Sequence, residues 1–192
     1  MRALLVIDYT YDFVADDGRL TCGKPAQQIE QRIVSLTEEF ITNGDFVVMA
    51  VDVHDEGDHY HPENKLFPPH NIRGTKGRKL FGDLGDRYNH YLKSEENHLL
   101  WMDKTRYSAF TGTNLEQKLS ERSIREVHLV GVCTDICVLH TAVDAYNKGY
   151  HIVIHKDGVQ SFNQKGHEWA LGHFKDVLGA TMMETGRKMI EE

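Results

Sequence analysis

The sequence predicts an α/β fold: a doubly wound, mainly parallel sheet with helices on both faces. Three observations carry the prediction. Five short runs rich in Val, Ile and Leu are spaced along the 192 residues. They are apolar throughout rather than alternating, which suits parallel strands covered on both faces. Segments of helical periodicity separate them, and strands alternating with helices imply βαβ units.

The predicted strands are "ALLVID" (3–8), "FVVMAVDVH" (46–54), "HLLWM" (98–102), "EVHLVGV" (126–132) and "HIVIH" (151–155). A first helix starts at Pro25; Ile29, Ile33, Leu36 and Phe40 recur at helical spacing, and Gly44 is the C-terminal stop. Thr113, with Glu116 three residues later, reads as a capping box ahead of Leu115 and Leu119. Residues 135–148 and 164–178 supply two more helices, closed by Gly149 and Gly179. There is no repeat, low-complexity tract or linker, and the length fits one domain, 1–192. Residues 54–97 break the rhythm with Gly, Pro, His and charged residues, over a span far longer than a usual connection. Ligands in open α/β sheets bind beyond the carboxyl ends of the strands. This segment begins there and is expected to build a site.

Composition narrows the function. Lys+Arg 22 against Asp+Glu 29 gives a net charge of −7 with no basic run, which argues against nucleic acid or an anionic membrane surface as partner. No stretch approaches the ~20 apolar residues of a membrane span, and the start does not read as a signal peptide. Three cysteines are too few and too odd in number for a disulfide framework. A cytoplasmic location is expected.

Two of those cysteines sit four apart in "GVCTDICVLH". A helix after strand 126–132 would start near Thr134 or Asp135, both good N-caps. Its apolar stripe would run Ile136, Leu139, Val143 and Tyr146, leaving Cys137 off the stripe in the first turn. There the helix dipole favours a thiolate, and backbone N–H groups could hold an oxyanion. Two readings of Cys137 stand, a nucleophile and a small buried filler. Cys133 is expected to pack inward; in a second reading it captures an oxidised Cys137 as a disulfide. A zinc pair is disfavoured, because C-x3-C lacks a matching second pair. Cys22, in "LTCGKP", reads as a turn residue with no acid or base nearby.

Two other strand ends bear on that choice. Asp8 closes the first strand and Lys104 follows the third. If those strands neighbour 126–132, a carboxylate, an ammonium and a thiol converge. Asp8 could then accept the thiol proton while Lys104 lowers the thiol pKa. "DVH" places Asp52 and His54 on one face of a strand end. His70 follows in "FPPH", with His59, His61 and Glu63 between. One carboxylate with two imidazoles suits Zn, Mn or Fe.

The residues in this order resemble the isochorismatase-like cysteine hydrolases, and within them the nicotinamidases (pyrazinamidases). The resemblance spans "LLVIDYTYDFV", "DVHDEGDHYHPENKLFPPHNIRGTKG", "WMDKTRYSAFTGTNL", "GVCTDICVLHTAVDAY" and "HEWALGHFKDVLGA". It implies a six-stranded sheet and hydrolysis of nicotinamide to nicotinate and ammonia, with pyrazinamide as a further substrate. It assigns Asp8, Lys104 and Cys137 as a catalytic triad. Asp52, His54, Glu63 and His70 would hold one divalent metal, zinc first, with Mn or Fe as alternatives. Phe13, Leu20, Phe67 and Tyr107 would line the ring pocket. The backbone N–H groups of Cys133 and Cys137 would form the oxyanion hole, with a cis peptide between Val132 and Cys133. Cys133 departs from the small or aliphatic residue the family pattern leads one to expect. The partner implied is a small molecule, with no nucleic acid and no membrane, and a homo-oligomer is expected. The alternative is another hydrolase of the same fold, acting on an N-carbamoyl compound, a ureide or isochorismate.

Overall fold

β1 (Ala3–Ile7) and β2 (Phe46–Asp52) are buried at every position, as continuous apolar runs require of strands covered on both sides. A computed structural model describes residues 1–92 and 98–185. With β3 (Leu99–Lys104), β4 (Glu126–Val132), β5 (His151–Gln160) and β6 (Thr181–Met183), they form a six-stranded sheet in the order β3-β2-β1-β4-β5-β6. Every neighbouring pair is parallel. The helices are α1 (Tyr11–Val14), α2 (Lys24–Gln28), α3 (Glu30–Thr42), α4 (Gly82–Tyr91), α5 (Leu115–Glu121), α6 (Leu139–Asn147) and α7 (Gln164–Asp176).

The period-two geometry of the strands divides the core. Leu4 and Val6 of β1 pack with Ile33, Leu36 and Phe40 of α3 and with Leu84 of α4. Ala3, Leu5 and Ile7 pack on the opposite face, with Leu115 and Leu119 of α5, Ala142 and Ala145 of α6, and Phe174 of α7. The sheet is therefore doubly wound, as predicted. Its strand order reverses between β1 and β4, and that switch point opens a crevice at their carboxyl ends. Gly131 permits the close approach there. Its φ is +113°, and a Cβ would stand 2.0 Å from the Ile7 carbonyl oxygen. No other residue type fits.

Several predicted boundaries move. β5 runs to Gln160 rather than ending at 155, because its pairing with β4 shifts register between Leu129 and Gly131. "KDG" therefore lies within the strand rather than in a turn. The helix expected from Pro25 is split at Ile29 into α2 and α3. The N-cap of α5 is Asn114, not Thr113, although the Thr113 hydroxyl still accepts the Leu115 N–H at 3.2 Å. Residues 54–97 are less irregular than expected. They hold 3-10 turns at Pro62–Lys65 and Lys76–Arg78 and the helix α4, while 93–97 lie outside the described residues. Helix α4 fully buries only Leu84, but Phe81, Tyr88 and Tyr91 pack beside it at helical spacing, a stripe the sequence reading passed over. Among the described residues no helix is long and apolar enough to cross a membrane.

Away from the crevice, β4 and β5 enclose a neutral histidine pair. His155 Nε2 lies 2.9 Å from His128 Nδ1, His128 Nε2 lies 2.9 Å from Glu126 Oε1, and the Arg32 guanidinium stands 3.3 Å from His155 Nδ1. Arginine can only donate, so one direction satisfies all three contacts: Arg32 to His155, His155 to His128, His128 to Glu126. Burial pushes both imidazoles down, His155 to about 3 with His128 and Arg32 adding to the effect. Folded pKa values below the unfolded one give stability that is complete above pH ~6.5 and is lost as pH falls. Urea midpoints should therefore drop between pH 6.5 and 5, by up to about 1.4 kcal/mol per pH unit for each histidine that stays neutral. His155→Leu should flatten that slope; an unchanged slope would remove the pair as its cause.

Candidate active site

Sheet register gathers the polar strand ends. Asp52 of β2 pairs with Lys104 of β3, and Asp8 follows Ile7, which pairs with Ala50. Asp8 turns the chain off the strand at φ +54° and is completely buried. Its Oδ1 accepts the Asp52 N–H at 2.7 Å, and its Oδ2 lies 2.7 Å from Lys104 Nζ. The same ammonium is 3.6 Å from Cys137 Sγ and 3.9 Å from Asp52 Oδ1, and it donates to the Arg106 carbonyl at 3.2 Å. Asp8, Lys104 and Cys137 thus meet at one buried point.

Electrostatics there follow from burial. Desolvation opposes the Lys104 charge, but Asp8, Cys137 and Asp52 outweigh it and hold the ammonium more firmly than usual. Burial pushes the Asp8 carboxyl up, against Lys104 and with Asp52. It also pushes the Cys137 thiol well above its ordinary value, with Lys104 opposing. Lys104 acts on the thiol in the expected direction, but burial is the larger influence and works against it.

The turn carrying Cys137 also differs from the expected helix. Residues Thr134–Val138 form a π-helical turn before α6, and the N-cap is Cys133 with no side-chain cap. Cys133 O accepts N–H bonds from Ile136 at 3.1 Å and Val138 at 3.2 Å. The buried row is Cys137, Val138, Thr141, Ala142 and Ala145, a regular helical spacing on small and polar residues that the apolar stripe did not include. Tyr146, on the stripe expected to be buried, is 52 % exposed. Cys137 lies on the buried face, and its placement off the stripe was wrong. Thr134 and Asp135 brace the turn instead of capping it. The Thr134 hydroxyl is 2.8 Å from His167 Nδ1, and Asp135 Oδ1 accepts from the Ser161 hydroxyl at 2.6 Å. Thr141 Oγ1 donates to the Cys137 carbonyl at 2.7 Å. The Val132–Cys133 peptide is cis.

The second cluster is Asp52, His54, Glu63 and His70, whose candidate ligand atoms lie within 4.8 Å of one another, all buried. His54 Nε2 is 2.8 Å from Asp52 Oδ2. His70 Nδ1 donates to the Pro68 carbonyl at 2.8 Å, which fixes the ring and turns Nε2 inward. That Nε2 has no hydrogen-bond partner and stands 3.5 Å from both Asp52 Oδ2 and Glu63 Oε2. Burial disfavours a charged His70, yet the two carboxylates push it up to about 10. Asp52 and Glu63 place two buried carboxyl groups beside that orphaned imidazole nitrogen, an acidic surrounding that would favour a cation. The donor set fits such an ion. His61 stacks on His54 with ring centroids 3.8 Å apart but is not one of the four, and His59 is exposed.

A cavity of about 20 Å³ is lined by Phe13, Leu20, Phe67 and Tyr107 together with Glu63 of one cluster, Cys137 of the other, and Cys133. All four residues expected in the ring pocket are there. Ile136 and Phe162 also line it and were missed. Phe162 lies two residues past the end of β5 at Gln160, beyond the strand predicted to end at 155. Asp12 was missed as well. Its buried carboxylate accepts the Asn71 N–H at 2.8 Å and the Arg19 N–H at 3.3 Å, tying the His70 loop to the Leu20 loop.

Comparison with known proteins agrees with this geometry. The isochorismatase domain model matches residues 2–186; the chain belongs to the isochorismatase family. It is 64% identical over 183 residues to the Bacillus subtilis (strain 168) isochorismatase family protein PncA, covering 95% of this chain and 99% of that one. The crystal structure of nicotinamidase/pyrazinamidase PncA from Bacillus subtilis superposes with a TM-score of 0.93 at 61% identity, over 96% of this chain and 100% of that one. A pyrazinamidase of Pyrococcus horikoshii solved with zinc superposes at 0.81 and 25% identity, over 95% and 98% of the two chains.

The geometry predicts unequal contributions to metal retention. His54→Ala should lose most bound metal after dialysis, measured by inductively coupled plasma mass spectrometry. Glu63→Ala should retain more, because it enters from a four-residue 3-10 turn, whereas His54 is in direct contact with Asp52. Equal loss in both would show Glu63 to be as strong a ligand as His54.

Proposed function

We propose that this protein is a nicotinamidase, a metal-assisted cysteine amidohydrolase that converts nicotinamide to nicotinate and ammonia and also accepts pyrazinamide. One observation carries the reading. A narrow aromatic slot has a thiol beside a carboxylate–ammonium pair at one end and a buried acid–histidine cluster at the other. A flat heteroaromatic ring with a carboxamide on one side and a basic nitrogen on the other fits both ends. Phe13 and Phe67 abut His70 with ring centroids 5.2 and 6.3 Å away, so the ring pocket is continuous with the cluster. The similar nicotinamidase and pyrazinamidase structures support the same substrate class.

Asp52, His54, Glu63 and His70 would hold the divalent ion. Zinc is the ion we assign, because two imidazoles with carboxylates suit it and the Pyrococcus horikoshii pyrazinamidase structure contains it. When bound, the ion supplies a Lewis-acidic anchor for the ring nitrogen. The protein's own groups perform the bond changes. Asp8 takes the Cys137 proton as the sulfur attacks the carboxamide carbon, which avoids maintaining a free thiolate in a desolvated site. The backbone N–H groups of Cys133 and Cys137 receive the developing oxyanion. Asp8 passes its proton to the departing nitrogen, and ammonia leaves a thioester on Cys137. Asp8 then accepts a proton from water, whose oxygen attacks the thioester, and nicotinate and the thiol are released. Lys104 holds Asp8 in place throughout and offsets its charge.

Ammonia release from nicotinamide tests the reading. Cys137→Ala should abolish turnover while fold and metal content stay near those of the wild type; residual activity within tenfold of wild type would exclude Cys137 as nucleophile. Asp8→Asn should lose roughly 10²–10⁴-fold, the usual effect of removing a general acid–base group. Turnover of an N-carbamoyl amino acid without turnover of nicotinamide would overturn the substrate assignment.

Benzamide has the shape of nicotinamide but lacks its ring nitrogen. Its kcat/KM should fall by at least about 10²-fold, because a buried polar partner is left unmatched. Efficient benzamide hydrolysis would remove the metal cluster from substrate anchoring.

A further inference from the structure

The third cysteine supplies an observation that the proposed reaction does not use. Cys22 and Cys133 are 111 residues apart, yet their Sγ atoms lie 3.2 Å apart. Both are buried, at 5% and 4% exposure, and neither is in a disulfide. Cys133 lines the ring pocket beside Cys137. Cys22 anchors the loop that carries Leu20, another wall of that pocket, and its N–H donates to the Phe13 carbonyl at 2.8 Å. The two thiols thus join two walls of the slot, one from the α1–α2 loop and one from the end of β4.

We propose that Cys22 and Cys133 are a redox-active pair, oxidised by hydrogen peroxide to an intramolecular disulfide that clamps the substrate pocket and stops turnover reversibly. The pairing differs from a Cys133–Cys137 link, which would consume the nucleophile. The step balances. One thiol takes an oxygen atom from peroxide, giving a sulfenic acid and water. The second sulfur displaces that oxygen as water, forming the S–S bond. In total two thiols lose two hydrogens and one peroxide becomes two waters.

The geometry meets the requirements of such a bond. The sulfurs need to close by only about 1.2 Å to reach the bonded separation of about 2.0 Å. Peroxide is small enough to reach Cys133 through the pocket, whereas a tripeptide disulfide is not. The functional consequence follows from the place of the link. Leu20 and Cys133 both line the slot, so drawing the two sulfurs together shifts one wall against the other where the ring would lie. The Leu20 loop is held to α1 by backbone bonds from Leu20 to Asp12 and from Cys22 to Phe13, and a covalent tie to β4 would remove its freedom to move.

The chemistry is read by mass independently of any activity, so the pairing can fail without the nicotinamidase reading failing, and the reverse also holds. Metal-loaded protein is treated with graded hydrogen peroxide, alkylated, digested with trypsin without reduction and mapped by tandem mass spectrometry. Cys22 falls in one tryptic peptide, and Cys133 and Cys137 share another, so fragmentation assigns the link. The expected product joins Cys22 to Cys133 with Cys137 free to alkylate. Nicotinamide turnover should fall at least tenfold in the linked fraction and return with dithiothreitol. Cys22→Ala, which removes no group from the proposed machinery, should keep wild-type turnover, form no such link and show no loss that dithiothreitol restores. A Cys133–Cys137 link, the absence of any link, or a Cys22–Cys133 link with full turnover would each overturn the proposal.

Discussion

One buried ammonium organises the site. Lys104 is fully enclosed and lies within 4 Å of Asp8, Asp52 and Cys137. A lone charge in such a place would be strongly destabilising, and one partner lost from a buried network leaves the others uncompensated. The network therefore persists only if β1, β2 and β3 keep their register, since a slip of one residue would turn each strand-end side chain to the opposite face. The sheet and the site are the same constraint seen at two scales. Asp52 and Lys104 are register partners, and Asp8 reaches them because its positive φ bends the chain across the carboxyl ends.

The ammonium also links two clusters that would otherwise be separate. Asp52 belongs to the acid–histidine group and faces Lys104, while Asp8 donates nothing to that group but accepts the Asp52 N–H. Ionisation at one cluster is therefore felt at the other. Lys104, together with His54 and His70, overrides the burial of Asp52 and holds its carboxyl far below the usual range. An anionic Asp52 in turn raises the field against a second negative charge on Asp8 or on sulfur. A divalent ion between Asp52 and His70 would relieve that field, so the metal cluster tunes the thiol end even without touching it.

Much of this was legible in the sequence, for a physical reason. Strands buried on both faces must be apolar throughout, so β1, β2 and β4 are visible as runs, and the polar residue that ends each run marks the carboxyl edge. Asp8, Asp52, His54 and Lys104 were found by that rule. The rule failed where polarity and structure part company. β5 continues through "KDG" because a register shift admits extra residues, which hid Phe162. Helix α4 buries one leucine fully, and its stripe of Phe81, Leu84, Tyr88 and Tyr91 is short and mostly aromatic, so it was overlooked among the polar residues around it. At Cys137 the off-stripe argument failed. The buried row of that helix is built from small and polar residues, Cys137, Thr141, Ala142 and Ala145, which an apolar stripe does not reveal. Asp12, Thr134 and His167 act by bracing loops from a distance, and contacts between remote segments leave no local pattern.

The burial of Cys137 bears on how its sulfur would be used. On an exposed first turn a thiol could rest as a thiolate, permanently nucleophilic and open to oxidants. On the buried face, desolvation pushes the thiol up, with Lys104 opposing, so in the proposed reaction the sulfur's charge would be passed on to the attacked carbonyl. Asp8, itself pushed up by burial, is a better match for that proton than an ordinary carboxylate, because transfer is easiest between groups of similar affinity. Burial thus disfavours both the free thiolate and the free carboxylate, and narrows the gap between them. A site built this way is quiet without substrate. The turn that carries the sulfur is held in place by Thr134, Asp135 and Thr141.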